Sequence, residues 1–147
     1  MDHVVYVDAK AKELEKLING AKSMIIRGAT GRKLPYGRVD ENDLLYFIRN
    51  NGEGLVCARA PVLSVHNSEK MEKSVSMQLV EDNQEKLQLD NKQFKKWAGK
   101  RYLVLIEVHQ VETIAPFQID KSKYGNMDDW LPVEDINRVR TQSQGRD

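Results

Sequence analysis

The segment Gly20-Ala-Lys-Ser-Met-Ile-Ile-Arg27 decides the fold, because it joins a predicted helix to a predicted strand. The helix is predicted over residues 9–19, with Asp8 as its N-cap, an apolar stripe on one face and a glycine at its end. Residues 23–27 form a short apolar run, which is typical of a strand. Residues 28–37, with two early glycines and a proline, predict a loop.

Two stretches of the chain are basic and contain no acid, although the formal net charge is only +1. A positive segment in a nearly neutral protein indicates a local anion site. The first stretch, residues 16–39, contains Lys16, Lys22, Arg27, Arg32, Lys33 and Arg38. The second, residues 91–106, contains Lys92, Lys95, Lys96, Lys100 and Arg101, interleaved with Phe94 and Trp97. Cations beside aromatic rings suit a single nucleic-acid strand. The alternative is that the rings are core anchors and the lysines a solvated helix face.

Strands dominate the rest of the chain, without regular βαβ alternation. This order predicts an α+β fold, a small β-barrel or strongly bent mixed sheet with peripheral helices. We expect a single domain over residues 1–136 and a polar, flexible tail over residues 137–147. Strands are predicted over residues 43–49, 55–65 and 101–113, and a short helix over residues 91–98.

The opening segment resembles the signature of the ASCH domain family, a branch of the PUA-like barrels, which reads Gly-x-Lys-x-x-Glu-x-Arg. Gly20, Lys22 and Arg27 match the signature, whereas Ile25 stands where it has an acid. The resemblance implies a PUA-like pseudo-barrel with a cleft beside the signature. Residues 43–47, 54–65 and 101–108 are similar to later barrel strands of PUA-like and EVE relatives.

The resemblance also implies a function, since such domains are associated with RNA and with modified bases. A lysine after a helix end is a compact phosphate donor, and an arginine can direct two donors at a phosphate or a base edge. We therefore expect an RNA- or nucleotide-binding domain. The predicted binding residues are Lys22, Arg27, Arg32, Lys33, Tyr36, Lys96 and Lys100.

Catalysis is the second interpretation, because some members of the family hydrolyse acetylated cytidine or RNA. Ile25 argues against it, since the position lacks a proton carrier. If the protein is an enzyme, Lys22 would act with Glu107 or His109, which share one face of the late predicted strand. A third interpretation is a protein-interaction module that uses the basic face.

The remaining composition narrows the class of protein. The three histidines and the lone Cys57 have no metal-ligand spacing, and there is no phosphate-binding glycine loop, so we expect neither metal nor cofactor. A single cysteine, an early charge and the lack of a long apolar run predict a cytoplasmic protein without a membrane segment. The sequence leaves open RNA, DNA or a free nucleotide as ligand, and it leaves open the oligomeric state.

Overall fold

The structure is a computed structural model that describes residues 1–122, 124 and 129–141. Seven strands and four short helices follow one another in the described part of the chain. They are β1 Asp2–Val7, α1 Glu13–Ile18, β2 Met24–Ala29, β3 Leu44–Arg49, β4 Leu55–Asn67, α2 Lys73–Asp82, α3 Gln84–Leu87, α4 Asn91–Trp97, β5 Tyr102–Val108, β6 Glu112–Gln118 and β7 Trp130–Glu134, with a 3-10 turn at Ile136–Arg138.

The strands form one curled mixed sheet in the order β2-β5-β4-β3-β1-β7, and β6 pairs with β4. β1 runs parallel to β3, whereas the other pairs are antiparallel. β4 is long enough to pair with β3 and β6 along its first half and with β5 along its second half. The sheet therefore bends along β4, which confirms the predicted bent α+β sheet with helices outside it.

Alternating side chains of β2 and β5 enter two different cores, because both strands are covered on both faces. Ile25 and Ile106 pack into the inner core with the apolar stripe of α1. Met24 and Leu105 pack outward against the helices, which include Val80 of α2. The sequences of β2 and β5 are therefore continuous apolar runs, because both faces of each strand are buried.

Two predicted elements have other boundaries in the structure. The first helix begins at Glu13, not at residue 9, because the Asp8 carboxylate accepts the Ala11 N–H at 3.0 Å and caps a turn before the helix. The predicted strand over residues 101–113 is two strands, since β5 ends at Val108 and the chain turns through Gln110, whose φ is +53°.

The predicted flexible tail covers residues 137–147. Val139 is buried, and Arg140 makes a β-bridge with Ile119. Residues 142–147 of that predicted tail lie outside the described residues. No helix in the described part of the chain is long and apolar enough to cross a membrane.

Candidate nucleic-acid interface

A cavity of about 290 Å³ lies where β2, the following loop, the end of α4 and the start of β7 meet. We call it the cation cavity, because Arg27, Lys33, Lys96 and Lys100 line it, against one acid, Asp129. The two acid-free stretches of the sequence therefore supply two cations each to the same concave surface. Two indoles, Trp97 and Trp130, complete its walls. Positive charge beside aromatic rings is the combination that favours nucleotides.

Arg27 on β2 is the most constrained cation of the cavity. Its guanidinium donates to the carbonyl oxygens of Ile26 at 2.8 Å and of Tyr6 at 2.7 Å. Its Nε lies 3.2 Å from Oδ2 of Asp129, but among the described residues it has no hydrogen bond of good geometry. The guanidinium carbon is 5.8 Å from the ring centroid of Trp97. Arg27 is thus a fixed positive centre that is only 7% exposed.

Gly28 lets the chain at Lys100 lie close to β2. A Cβ atom on Gly28 would lie 2.6 Å from Cδ2 of Leu103 and 3.3 Å from Cβ of Lys100. Only glycine therefore lets β2 approach β5 and the Lys100 backbone this closely. From α4, Lys96 places its Nζ 4.8 Å from the ring centroid of Trp97, within cation–π range.

Trp130 is held in place by a series of buried hydrogen bonds through His3 and Asp43. Its indole N–H donates to Nδ1 of His3, and Nε2 of His3 lies 2.9 Å from Oδ2 of Asp43. Burial lowers the pKa of His3, although hydrogen bonding to Asp43 opposes the shift. The sequence did not indicate these hydrogen bonds, because the three residues are far apart in the polypeptide, on β1, before β3 and on β7.

Lys22, the lysine of the signature, does not line the cation cavity. It is 1% exposed, its Nζ donates to the Leu87 carbonyl oxygen, and Oε2 of Glu13 lies 3.5 Å away. Burial lowers the pKa of Lys22, and the Glu13 carboxylate opposes this effect. Lys22 therefore ties α1 to the end of α3 and has no free surface for a ligand.

The acid beside Lys22 is not the one predicted. Glu107 pairs with Nζ of Lys86 at 3.1 Å, and His109 is exposed. The acid beside Lys22 in the structure is Glu13. Its side chain also lines a smaller cavity of about 50 Å³, which shares Arg27 and other wall residues with the cation cavity. We call this second space the adjoining cavity.

Arg32 and Tyr36 lie beside the cation cavity and not in its lining. The guanidinium carbon of Arg32 is 5.7 Å from the ring centroid of Tyr36 and 5.6 Å from that of Tyr102. The Tyr36 hydroxyl donates to the Ser68 carbonyl oxygen at 2.5 Å. Four of the seven predicted binding residues thus line the cation cavity. The sequence did not predict that Asp129 and Trp130 line it as well. Across the residues described, no group of His, Cys, Asp or Glu could hold a metal ion.

The seven strands form a curled mixed sheet, and the cation cavity lies beside its β2 segment. No protein-family model matches the sequence, and no curated protein matches it. The structure is similar to the crystal structure of ASCH from Zymomonas mobilis, with a TM-score of 0.63 and 14% identity, over 90% of this chain and 89% of that one. A mutant of the same ZmASCH protein gives a TM-score of 0.64 at 14% identity, over 90% of this chain and 89% of that one. The particular fold is therefore that of the ASCH domain, which confirms the fold predicted from residues 20–27.

Proposed function

We propose that the cation cavity binds one nucleotide of an RNA strand or a free nucleotide. The observation that carries this proposal is the convergence of four cations and two indoles on one cavity. Cations neutralise phosphate, and the half-buried indole of Trp97 offers a face on which a base can stack. The resemblance of the signature segment to a family associated with RNA supports the same interpretation.

The size of the cavity agrees with a single nucleotide. Its 290 Å³ lies just below the usual range for small-molecule pockets, which begins at about 300 Å³. Trp97 is half-buried and next to Lys96, so a base stacked on its ring would bring a phosphate within reach of the lysines. Arg27 is held by backbone carbonyl groups, which leaves it pre-oriented for an anion.

Binding can be tested with two variants of the same helix region. Lys96→Gln/Lys100→Gln removes two cations that line the cavity, and Lys92→Gln/Lys95→Gln removes two exposed cations that do not. Fluorescence anisotropy with a labelled oligouridylate of about 12 nucleotides measures affinity over a range of salt concentrations. We expect the first variant alone to lower the slope of log affinity against log salt by about 1.4, since each single-strand phosphate contact contributes about 0.7.

The two variants also separate the alternatives. Equal losses in both would mean diffuse attraction to a basic surface, which contradicts a defined cavity. A wild-type protein that binds no nucleic acid at physiological salt would contradict the proposal and would favour the interpretation as a module for acidic protein partners.

Hydrolysis is the second candidate function. The observation that favours it is the Glu13 carboxylate, which lines the adjoining cavity and lies 3.5 Å from Lys22. A carboxylate beside bound substrate can act as a general base. The candidate substrates are acylated cytidine and RNA. Glu13→Gln would then abolish turnover, while the folded fraction of the variant keeps its oligonucleotide affinity, because Glu13 does not line the cation cavity.

A further inference from the structure

The turn that follows α4 has a cavity on each side of it. Lys100 lines the cation cavity. Its chain neighbours Gly99 and Arg101 line another space, an open groove of about 650 Å³. We call this the second groove, and its other lining residues are Lys70, Met71, Glu72 and Lys73. The turn is therefore a shared wall, and adjacent residues of the chain face two different spaces.

The second groove is positively charged. Lys70, Lys73 and Arg101 are all exposed, and Glu72 is the one acid among its described lining residues. None of the three cations makes an ion pair with any residue that the structure describes. Their charges are therefore available to an external anion, unlike that of Lys86, which is occupied by Glu107.

The shape of the second groove is fixed by backbone contacts. The Gly99 N–H donates to Oγ of Ser76 at 3.1 Å, and the Met71 N–H donates to the Arg101 carbonyl oxygen at 2.9 Å. Gly99 has a φ of +96°, and a Cβ there would lie 3.3 Å from Cγ of Lys73. The turn that separates the groove from the cation cavity is thus anchored at both Gly99 and Arg101.

We propose that the second groove binds the sugar-phosphate backbone of a single nucleic-acid strand whose neighbouring nucleotide occupies the cation cavity. The inference rests on the proposed function and adds that the ligand is a polymer, which crosses the turn between Lys100 and Arg101. Three unpaired cations and little apolar lining suit phosphates, which carry no sequence information. The half-buried indole of Trp97 in the cation cavity suits a base. A free nucleotide would leave the second groove empty.

The experiment compares a polymer with a monomer. The variant Lys73→Gln/Arg101→Gln changes two exposed cations of the second groove, and Lys92→Gln/Lys95→Gln is the control with the same change of charge. Anisotropy measures the affinity for the labelled oligouridylate of about 12 nucleotides. Competition by uridine monophosphate measures binding to the cation cavity alone. We expect the groove variant to bind the oligonucleotide about tenfold less tightly, with a salt slope lower by about 1.4. Its affinity for the monophosphate should equal that of the control.

Each other outcome overturns the inference in a distinct way. If the groove variant binds the oligonucleotide like the control while Lys96→Gln/Lys100→Gln weakens binding, the second groove does not bind the strand and the proposed function stands. If the groove variant lowers the affinity for the monophosphate as much as the affinity for the oligonucleotide, Lys73 and Arg101 act at long range and contact no additional phosphate. If the wild type binds no oligonucleotide, the inference and the proposed function both fail.

Discussion

The indole N–H of Trp130 donates a hydrogen bond to Nδ1 of His3 across 3.0 Å. A ring nitrogen that accepts a hydrogen bond carries no proton, so His3 holds its single proton on Nε2, towards Oδ2 of Asp43. One wall of the cation cavity is therefore oriented by a histidine that is neutral and fully buried. A second proton on His3 would remove the acceptor of Trp130.

Acid should destabilise the protein through His3. Burial lowers the pKa of His3 in the folded state below 6.5, the value that we expect in the unfolded chain. Between the two pKa values the unfolded state binds more protons, so the free energy of unfolding falls as pH drops below about 6.5 and is constant above it. The slope from this group is at most about 1.4 kcal/mol per pH unit. Urea unfolding between roughly pH 5 and 8 measures it.

His3→Gln is the control for that titration. A glutamine amide can accept from Trp130 and donate to Asp43, and it does not titrate. The variant should therefore show a smaller dependence of stability on pH over the same range. Identical pH profiles for variant and wild type would show that other groups cause the acid response.

Gly28→Ala should destabilise the fold and displace the wall of the cation cavity. The added methyl group would lie 2.6 Å from Cδ2 of Leu103 and 3.0 Å from the Tyr102 carbonyl oxygen, so the Leu103 side chain must move and the Tyr102 backbone must shift slightly. Overpacking of this kind costs about 1–3 kcal/mol. Gly31→Ala is the matched control, because a Cβ there has no described atom within 4 Å. Urea unfolding of both variants checks the difference, and equal stabilities would contradict the close approach.

Glu13 and Lys22 should be strongly coupled in stability. Removing one partner of a buried ion pair leaves an uncompensated charge, which costs about 3–5 kcal/mol. Glu13→Gln and Lys22→Met should each approach this loss. The double variant should lose less than the two single losses together, because no lone charge remains buried. A double-mutant cycle by urea unfolding measures the coupling, and strictly additive losses would mean that the two groups do not interact.

Asp129→Asn should increase the affinity of the cation cavity for phosphate ligands. Asp129 is half-exposed, lies 3.2 Å from Nε of Arg27 and is the single acid among the described residues of the lining. Removal of the Asp129 charge should strengthen oligonucleotide binding by about 0.2–1 kcal/mol, or up to roughly fivefold, because an exposed ion pair contributes an interaction free energy of that size. The gain should disappear at high salt. Weaker binding at every salt concentration would instead make Asp129 a direct ligand contact.

The sequence predicted those parts of the candidate site that depend on residues close to one another in the chain. Acid-free stretches identified Arg27, Lys33, Lys96 and Lys100, because a cluster of like charges without acids needs an external anion. The short helix predicted over residues 91–98 also follows from a local pattern, and it is α4 in the structure. The short apolar run of residues 23–27 placed Ile25 on a strand, and both faces of that strand are buried.

Features that depend on distant partners could not be predicted. Lys22 reads as a free cation until Leu87, a residue far along the chain, provides a carbonyl group for it. Trp130 reads as a core residue, and its place beside Arg27 follows from the pairing of β7 with β1. The break between β5 and β6 has no glycine or proline signal, since Gln110 takes the positive φ.

The position of β1 between β3 and β7 has a consequence for how the protein folds. β1 has a parallel partner in β3, but its other edge is covered only by β7, whose Trp130 lies 127 residues from His3. Folding slows as contacts join residues that are further apart in sequence. A growing chain on the ribosome would therefore keep one edge of β1 open until β7 emerges, which exposes it to wrong pairing. Since Trp130 also forms a wall of the cation cavity, the ability to bind a ligand should arise in the last step of folding.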